Sequence, residues 1–108
     1  MSIETILMLV WIHWFADFIL QSDRIAINKS NSNLILLWHV FLYGLCFLWF
    51  GWKFAAVNAV LHFATDWITS RVTKKLWIAE QRHWFFVVIG LDQAIHMTCL
   101  IATYEIFK

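Results

Sequence analysis

The chain contains no proline and only three glycines, Gly44, Gly51 and Gly90, and just 14% of its 108 residues are charged. With so few helix breakers, the sequence predicts unbroken helices and argues against the unwound half-helices of many transporters. The scarcity of charge sets the chain apart from ordinary soluble domains, in which about 25% of residues carry one. A net charge of +1 offers no basic surplus, so no nucleic-acid partner is expected. The only two cysteines, Cys46 and Cys99, fall inside apolar stretches, where a thiol reads as a small packing residue. The opening Met1-Ser2-Ile3-Glu4 is acidic where a signal peptide is basic, and no small-residue cleavage pattern follows. No Ser-His-Asp order and no phosphate-cradling glycine loop is present either.

Apolar residues are abundant: 62% of the chain is hydrophobic and the mean hydropathy is +0.69. A bilayer core takes about 20 apolar residues per helix, and four such segments fit, at about 3–20, 34–52, 54–70 and 84–107. The expected fold is an all-α integral membrane domain, a four-transmembrane-helix bundle. Between the segments lie a polar stretch rich in Ser and Asn (21–33), a tight turn at 51–53 and a basic stretch at 71–83. Arg24, Lys29, Arg71, Lys74, Lys75 and Arg82 share one side of this topology and only Lys53 and Lys108 the other. The positive-inside rule therefore places both longer loops in the cytoplasm and both termini outside, in a multi-pass protein of a bacterial inner membrane.

Six ionisable residues interrupt the apolar segments in a pattern. His13/Asp17, His62/Asp66 and Asp92/His96 are each four apart, which puts both members on one helix face. At about 1.5 Å of rise per residue, all six, together with His39, fall in one slab of the cytoplasmic leaflet. The segments His13-Trp14-Phe15-Ala16-Asp17-Phe18-Ile19 and His62-Phe63-Ala64-Thr65-Asp66-Trp67-Ile68 echo one another, as expected of two helical hairpins repeated in parallel about the membrane normal. Each such residue costs roughly 2.5–3.5 kcal/mol in a membrane helix, whereas an interhelical hydrogen bond returns about 0.6 kcal/mol. Structural His–Asp ion pairs are one way to close the gap. A divalent transition metal (Zn, Mn or Fe) is the stronger one, because imidazole nitrogen and carboxylate oxygen suit it and it neutralises the acids. His13, His62 and His96 are the expected ligands, with Asp17, Asp66 and Asp92 as ligands, supporting partners or general base, and His39 as a fourth imidazole. Tyr43, one turn from His39, is a candidate proton donor. Gln21, Asp23, Arg24, Arg71 and Lys74 form a candidate rim for a polar headgroup.

The stretches His13–Asp23, His62–Asp66 and His83–His96 resemble a family of short bacterial and phage membrane proteins known only as a domain of unknown function, of the 3307 type. The resemblance spans nearly the whole chain and implies a small multi-helix membrane protein, with no activity attached. More coarsely, His and Asp set into apolar helices are similar to predicted membrane-bound metal-dependent hydrolases of bacteria. The leading expectation is a metal-dependent hydrolase acting on a lipid or other amphiphile from the cytoplasmic leaflet. The alternatives are a small transporter or channel for protons, metal ions or a solute, and a non-enzymatic membrane interaction protein. The expected partners are the lipid bilayer and further copies of the chain in a homo-oligomer.

Overall fold

The computed structural model describes residues 1–108, all helix and turn with no strand. Helix α1 (Ile3–Trp14) starts at Ser2, whose side chain accepts from the Thr5 amide, and Glu4 lies in its first turn. Both features favour a helix N-terminus. The unbroken helix expected over about 3–20 instead widens into a π turn over Phe15–Ile19, closed by the Leu20 amide donating to the Phe15 carbonyl at 3.0 Å. This turn buries Ala16 and Asp17 while Phe15, Phe18 and Ile19 stay exposed.

The polar stretch 21–33 contains a helix that composition hid. α2 (Asp23–Asn28) is capped by the Ser22 hydroxyl, which accepts from the Ile25 amide, and is anchored by buried Ile25. A second serine, Ser32, caps α3 (Asn33–Cys46) in the same way. The segment expected at 34–52 ends early, passing through a 3₁₀ turn at Leu48–Phe50 to Gly51 at φ 109°. That φ strains any L side chain, so glycine makes the turn where the sequence placed it.

α4 (Trp52–Ile78) is the larger departure, since the basic stretch 71–83, expected as a loop, is helical up to Ile78. Arg, Lys and Leu are strong helix formers, and no glycine or proline stops them. Instead α4 ends in a Schellman motif: Gln81 N–H donates to Leu76 O, Glu80 N–H donates to Trp77 O, and Glu80 is left-handed at φ 57°. α5 (Arg82–Phe107) closes the chain close to its expected bounds.

Only α5 is long and apolar enough to cross a membrane by length and composition. With 12 and 14 residues, α1 and α3 span about 18 and 21 Å as straight helices, short of a hydrocarbon core of about 30 Å. α4 has the length, but its apolar character is diluted by Asn58, His62, Asp66, Arg71, Lys74 and Lys75.

α4 packs along α5 and α3, whereas α1 rests on α5 and meets α3 chiefly through the π turn. The two hairpins of the expected repeat are therefore packed unequally. α3 and α4 approach closely at Gly44, where a methyl group would sit 3.3 Å from Ala59 Cβ. Leu9, Ala16, Tyr43, Phe47, Phe54, Ala55 and Leu100 form the apolar core. Its neighbour is polar: the 23 buried residues include His13, Asp17, His39, Asn58, His62, Asp66, Asp92 and His96. Large apolar side chains face outward instead, among them Trp49 at 82% exposure, Ile106 at 72% and Trp52 and Val60 at 69%.

Candidate functional site

Four helices and the π turn deliver the seven singled-out His and Asp side chains to one buried cluster. The π turn carries Asp17, α3 carries His39, α4 carries His62 and Asp66, and α5 carries Asp92 and His96, while His13 comes from the end of α1. On α4 the polar face Asn58, His62, Asp66, Thr69, Ser70 and Thr73 is one helical stripe, turned inward.

At the centre four atoms face one another. His39 Nε2 lies 3.0 Å from Asp17 Oδ1, 3.2 Å from His62 Nε2 and 3.4 Å from Asp66 Oδ2. His62 Nε2 lies 3.3 Å from Asp17 Oδ1 and 3.2 Å from Asp66 Oδ2. Ligands about 2.0–2.1 Å from a tetrahedral metal are separated from each other by about 3.3–3.4 Å, so these spacings have the size of a metal's coordination shell. Asp17, His39, His62 and Asp66 form one group able to hold a metal ion, and Asp17, Asp92 and His96 a second, overlapping one.

Asp66 connects the two halves. Its Oδ2 faces His39 and His62, while Oδ1 lies 3.1 Å from His96 Nε2, which is also 3.1 Å from Asp92 Oδ2. The His62 and His96 rings stack with centroids 3.7 Å apart and planes 5° apart, presenting their Nε2 atoms side by side to the two carboxylate oxygens. Asp92 is held from its other side by the Thr69 hydroxyl, which donates to Oδ1 at 2.6 Å.

His13 occupies a different role from the ligand position expected of it. Its Nδ1 is 2.9 Å from the Tyr43 hydroxyl and its Nε2 2.6 Å from Gln93 Oε1, so both ring nitrogens are engaged away from the centre. Gln93 then donates to Asp17 Oδ2 and Asp92 Oδ2, each at 3.1 Å. His13 thus orients the amide that orients two carboxylates, the kind of outer support that fixes ligand direction in metal sites. His39, expected as a supplementary imidazole, is at the centre.

Two members were not singled out in the sequence as site residues. Gln93 had as its only signal a position beside Asp92. Lys29 read only as a topology charge, yet its ammonium donates to Asp66 Oδ2 at 3.1 Å and to Gln21 Oε1 at 2.8 Å. It is the one cation of a lysine or arginine in contact with the buried acids. Three carboxylates and one ammonium leave the cluster two negative charges in excess if the imidazoles are neutral, and burying such an excess costs several kcal/mol per ion.

The expected rim is only partly assembled. Gln21 and Lys74 line one cavity beside the cluster. Arg24 lines a separate depression with Leu34 and Trp38, and Asp23 is exposed in the first turn of α2. Arg71 lies over the Trp67 ring at 4.2 Å and donates to Asn33 Oδ1.

No curated protein and no solved structure matches the chain. The family described as "Protein of unknown function (DUF3307)" matches residues 5–108, nearly the whole length, and the chain belongs to that family.

Proposed function

We propose that this protein is a multi-pass membrane enzyme that holds one divalent transition metal, Zn, Mn or Fe, between Asp17, His39, His62 and Asp66 and hydrolyses a lipid or other amphiphile. The observation that carries this reading is the convergence of two imidazole nitrogens and two carboxylate oxygens at separations of 3.0–3.4 Å. The charge agrees, because a dication offsets the two negative charges left over by Asp17, Asp66, Asp92 and Lys29.

A membrane setting is supported by the inverted distribution of side chains. Polar and charged residues make up 12 of the 23 buried positions, while many Trp, Phe, Ile and Leu side chains lie on the outside, which in water would expose far more apolar surface than a soluble monomer tolerates. On this reading α1 with its π turn, α3 with its 3₁₀ turn, α4 and α5 each cross the hydrocarbon. The basic connections then face the cytoplasm.

A bound metal supplies a water whose pKa is lowered to about 7 and a Lewis acid for an ester or phosphoryl oxygen. The chain's own groups do the remaining work. Asp92 and His96, 3.1 Å apart, form a proton-accepting pair beside Asp66. Gln93 and Thr69 hold the carboxylates in place, and Lys29 stands where an anionic group would approach. Access from one side favours an enzyme over a channel: beyond the cluster Leu9, Phe47, Phe54 and Leu100 close the bundle, while Gln21 and Lys29 border a cavity at the other end.

Metal analysis of the purified protein tests this reading. About one equivalent of a transition metal per chain is expected, and Asp66→Asn, which keeps size but removes charge, should lose most of it while the protein still inserts. A wild-type protein that folds and repeatedly purifies without metal would leave only ion pairing between charged imidazoles and carboxylates, and the proposal fails.

A further inference from the structure

A cavity of about 590 Å³ opens next to the cluster, between the 21–31 connection, the last turns of α4 and the first turns of α5. Its lining divides by chemistry. Lys29, Lys74 and Ser70 lie on one part, with no acidic residue anywhere in the lining, and Trp77, Phe85 and Ile89 form an apolar wall. The lip is apolar and open, with Ile78 71% exposed and Ile27 68% exposed.

Ser70 makes this more than a charged surface. It is only 7% exposed, and its Oγ is one of two buried side-chain polar atoms in the protein without a hydrogen-bond partner. A buried hydroxyl left unpaired costs about 1–3 kcal/mol, so a ligand that accepts its hydrogen bond recovers that cost. Lys74 rests on Asn31 Oδ1 and Lys29 on Gln21 and Asp66, which puts both ammonium groups at the cavity.

We infer that this cavity binds the anionic head, phosphate or carboxylate, of a single-chain or lipid amphiphile, with Lys29, Lys74 and Ser70 on the head and Trp77, Phe85 and Ile89 along the first part of the chain. The inference rests on the hydrolase reading for its substrate role, since the Lys29 ammonium touches both the cavity and Asp66. As binding it stands apart. A cationic recess with an exposed apolar lip suits an anion that carries a hydrocarbon chain better than a free anion, which gains nothing from the aromatic wall.

The test uses a non-hydrolysable probe, radiolabelled dodecylphosphonate, added to the purified protein in phosphatidylcholine nanodiscs, with dodecyltrimethylammonium as the cationic control. Saturable retention of the phosphonate is expected, with little of the ammonium compound. Lys74→Met should weaken retention about tenfold and Ser70→Ala about threefold, as loss of a charge-assisted and a neutral hydrogen bond implies. Neither residue touches the central four atoms, so metal content should stay at the wild-type level. Equal retention of the two amphiphiles, indifference to both substitutions, or displacement of the phosphonate by equimolar inorganic phosphate overturns the inference. Metal content of the same samples keeps the two readings apart: phosphonate binding in a metal-free protein removes the hydrolase and keeps the amphiphile site, whereas a metal-loaded protein that ignores the phosphonate removes the site alone.

Discussion

His13 and His39 show how little residue type says about role inside the cluster. Both are buried imidazoles beside an aspartate, but His39 Nε2 points at the four-atom centre and His13 is tied to Tyr43 and Gln93. Their substitutions should differ accordingly. His39→Ala removes one of four donors and should abolish stoichiometric metal binding, whereas His13→Ala should retain metal with affinity reduced by about 10–100-fold, the usual effect of losing an outer partner. Measured metal affinities of the two variants decide this; equal loss in both would put His13 among the ligands. The i, i+4 spacing marked all three His/Asp pairs, because helix geometry alone puts such residues on one face. It left undetermined which face met which, so His39, isolated in sequence, could not be ranked above His13, and Lys29 could not be connected to Asp66 across 37 positions.

Element boundaries were legible where a local signal exists. Gly51 marks a turn, and α5 runs close to its apolar limits. The π turn after Trp14 has no such signal, since Phe15-Ala16-Asp17-Phe18-Ile19 is an ordinary helical string, and the turn is where Asp17 Oδ1 comes within 3.0 Å of His39 Nε2 on α3. The α4 terminus is a local conflict. Glu80 sits at φ 57°, where an L side chain costs roughly 1–2 kcal/mol and glycine nothing, although glycine in the unfolded chain gives back roughly 0.5–1 kcal/mol of entropy. Glu80→Gly should therefore stabilise the protein by about 0.5–1 kcal/mol, seen as a higher melting temperature in detergent. A clear drop in melting temperature would mean that the Glu80 side chain contributes something its exposed position does not suggest.

At the scale of the whole molecule, a buried cluster of His and Asp is combined with an outer surface rich in Trp, Phe, Ile and Leu. If the bundle spans a bilayer, Arg24, Lys29, Arg71, Lys74, Lys75 and Arg82 lie at one end, with both termini at the other. In a bacterial host, an alkaline phosphatase fused after Lys108 should then be active and a cytoplasmic reporter at the same site silent. The reverse labelling would place the cavity on the outer face and remove a cytoplasmic substrate. The sequence by itself determined an all-helical chain, the inward polar faces of its helices and the residue types available to a cation. These depend on composition and on the 3.6-residue period, both local quantities. Only the tertiary structure decided which nitrogen and oxygen atoms share a centre, that Lys29 and Gln93 join them, that Arg24 and Arg71 stand apart from the cavity, and that Ser70 is left without a partner. Those outcomes depend on how α1, α3, α4 and α5 rotate and slide against one another, and that packing is set by contacts between residues far apart in the chain.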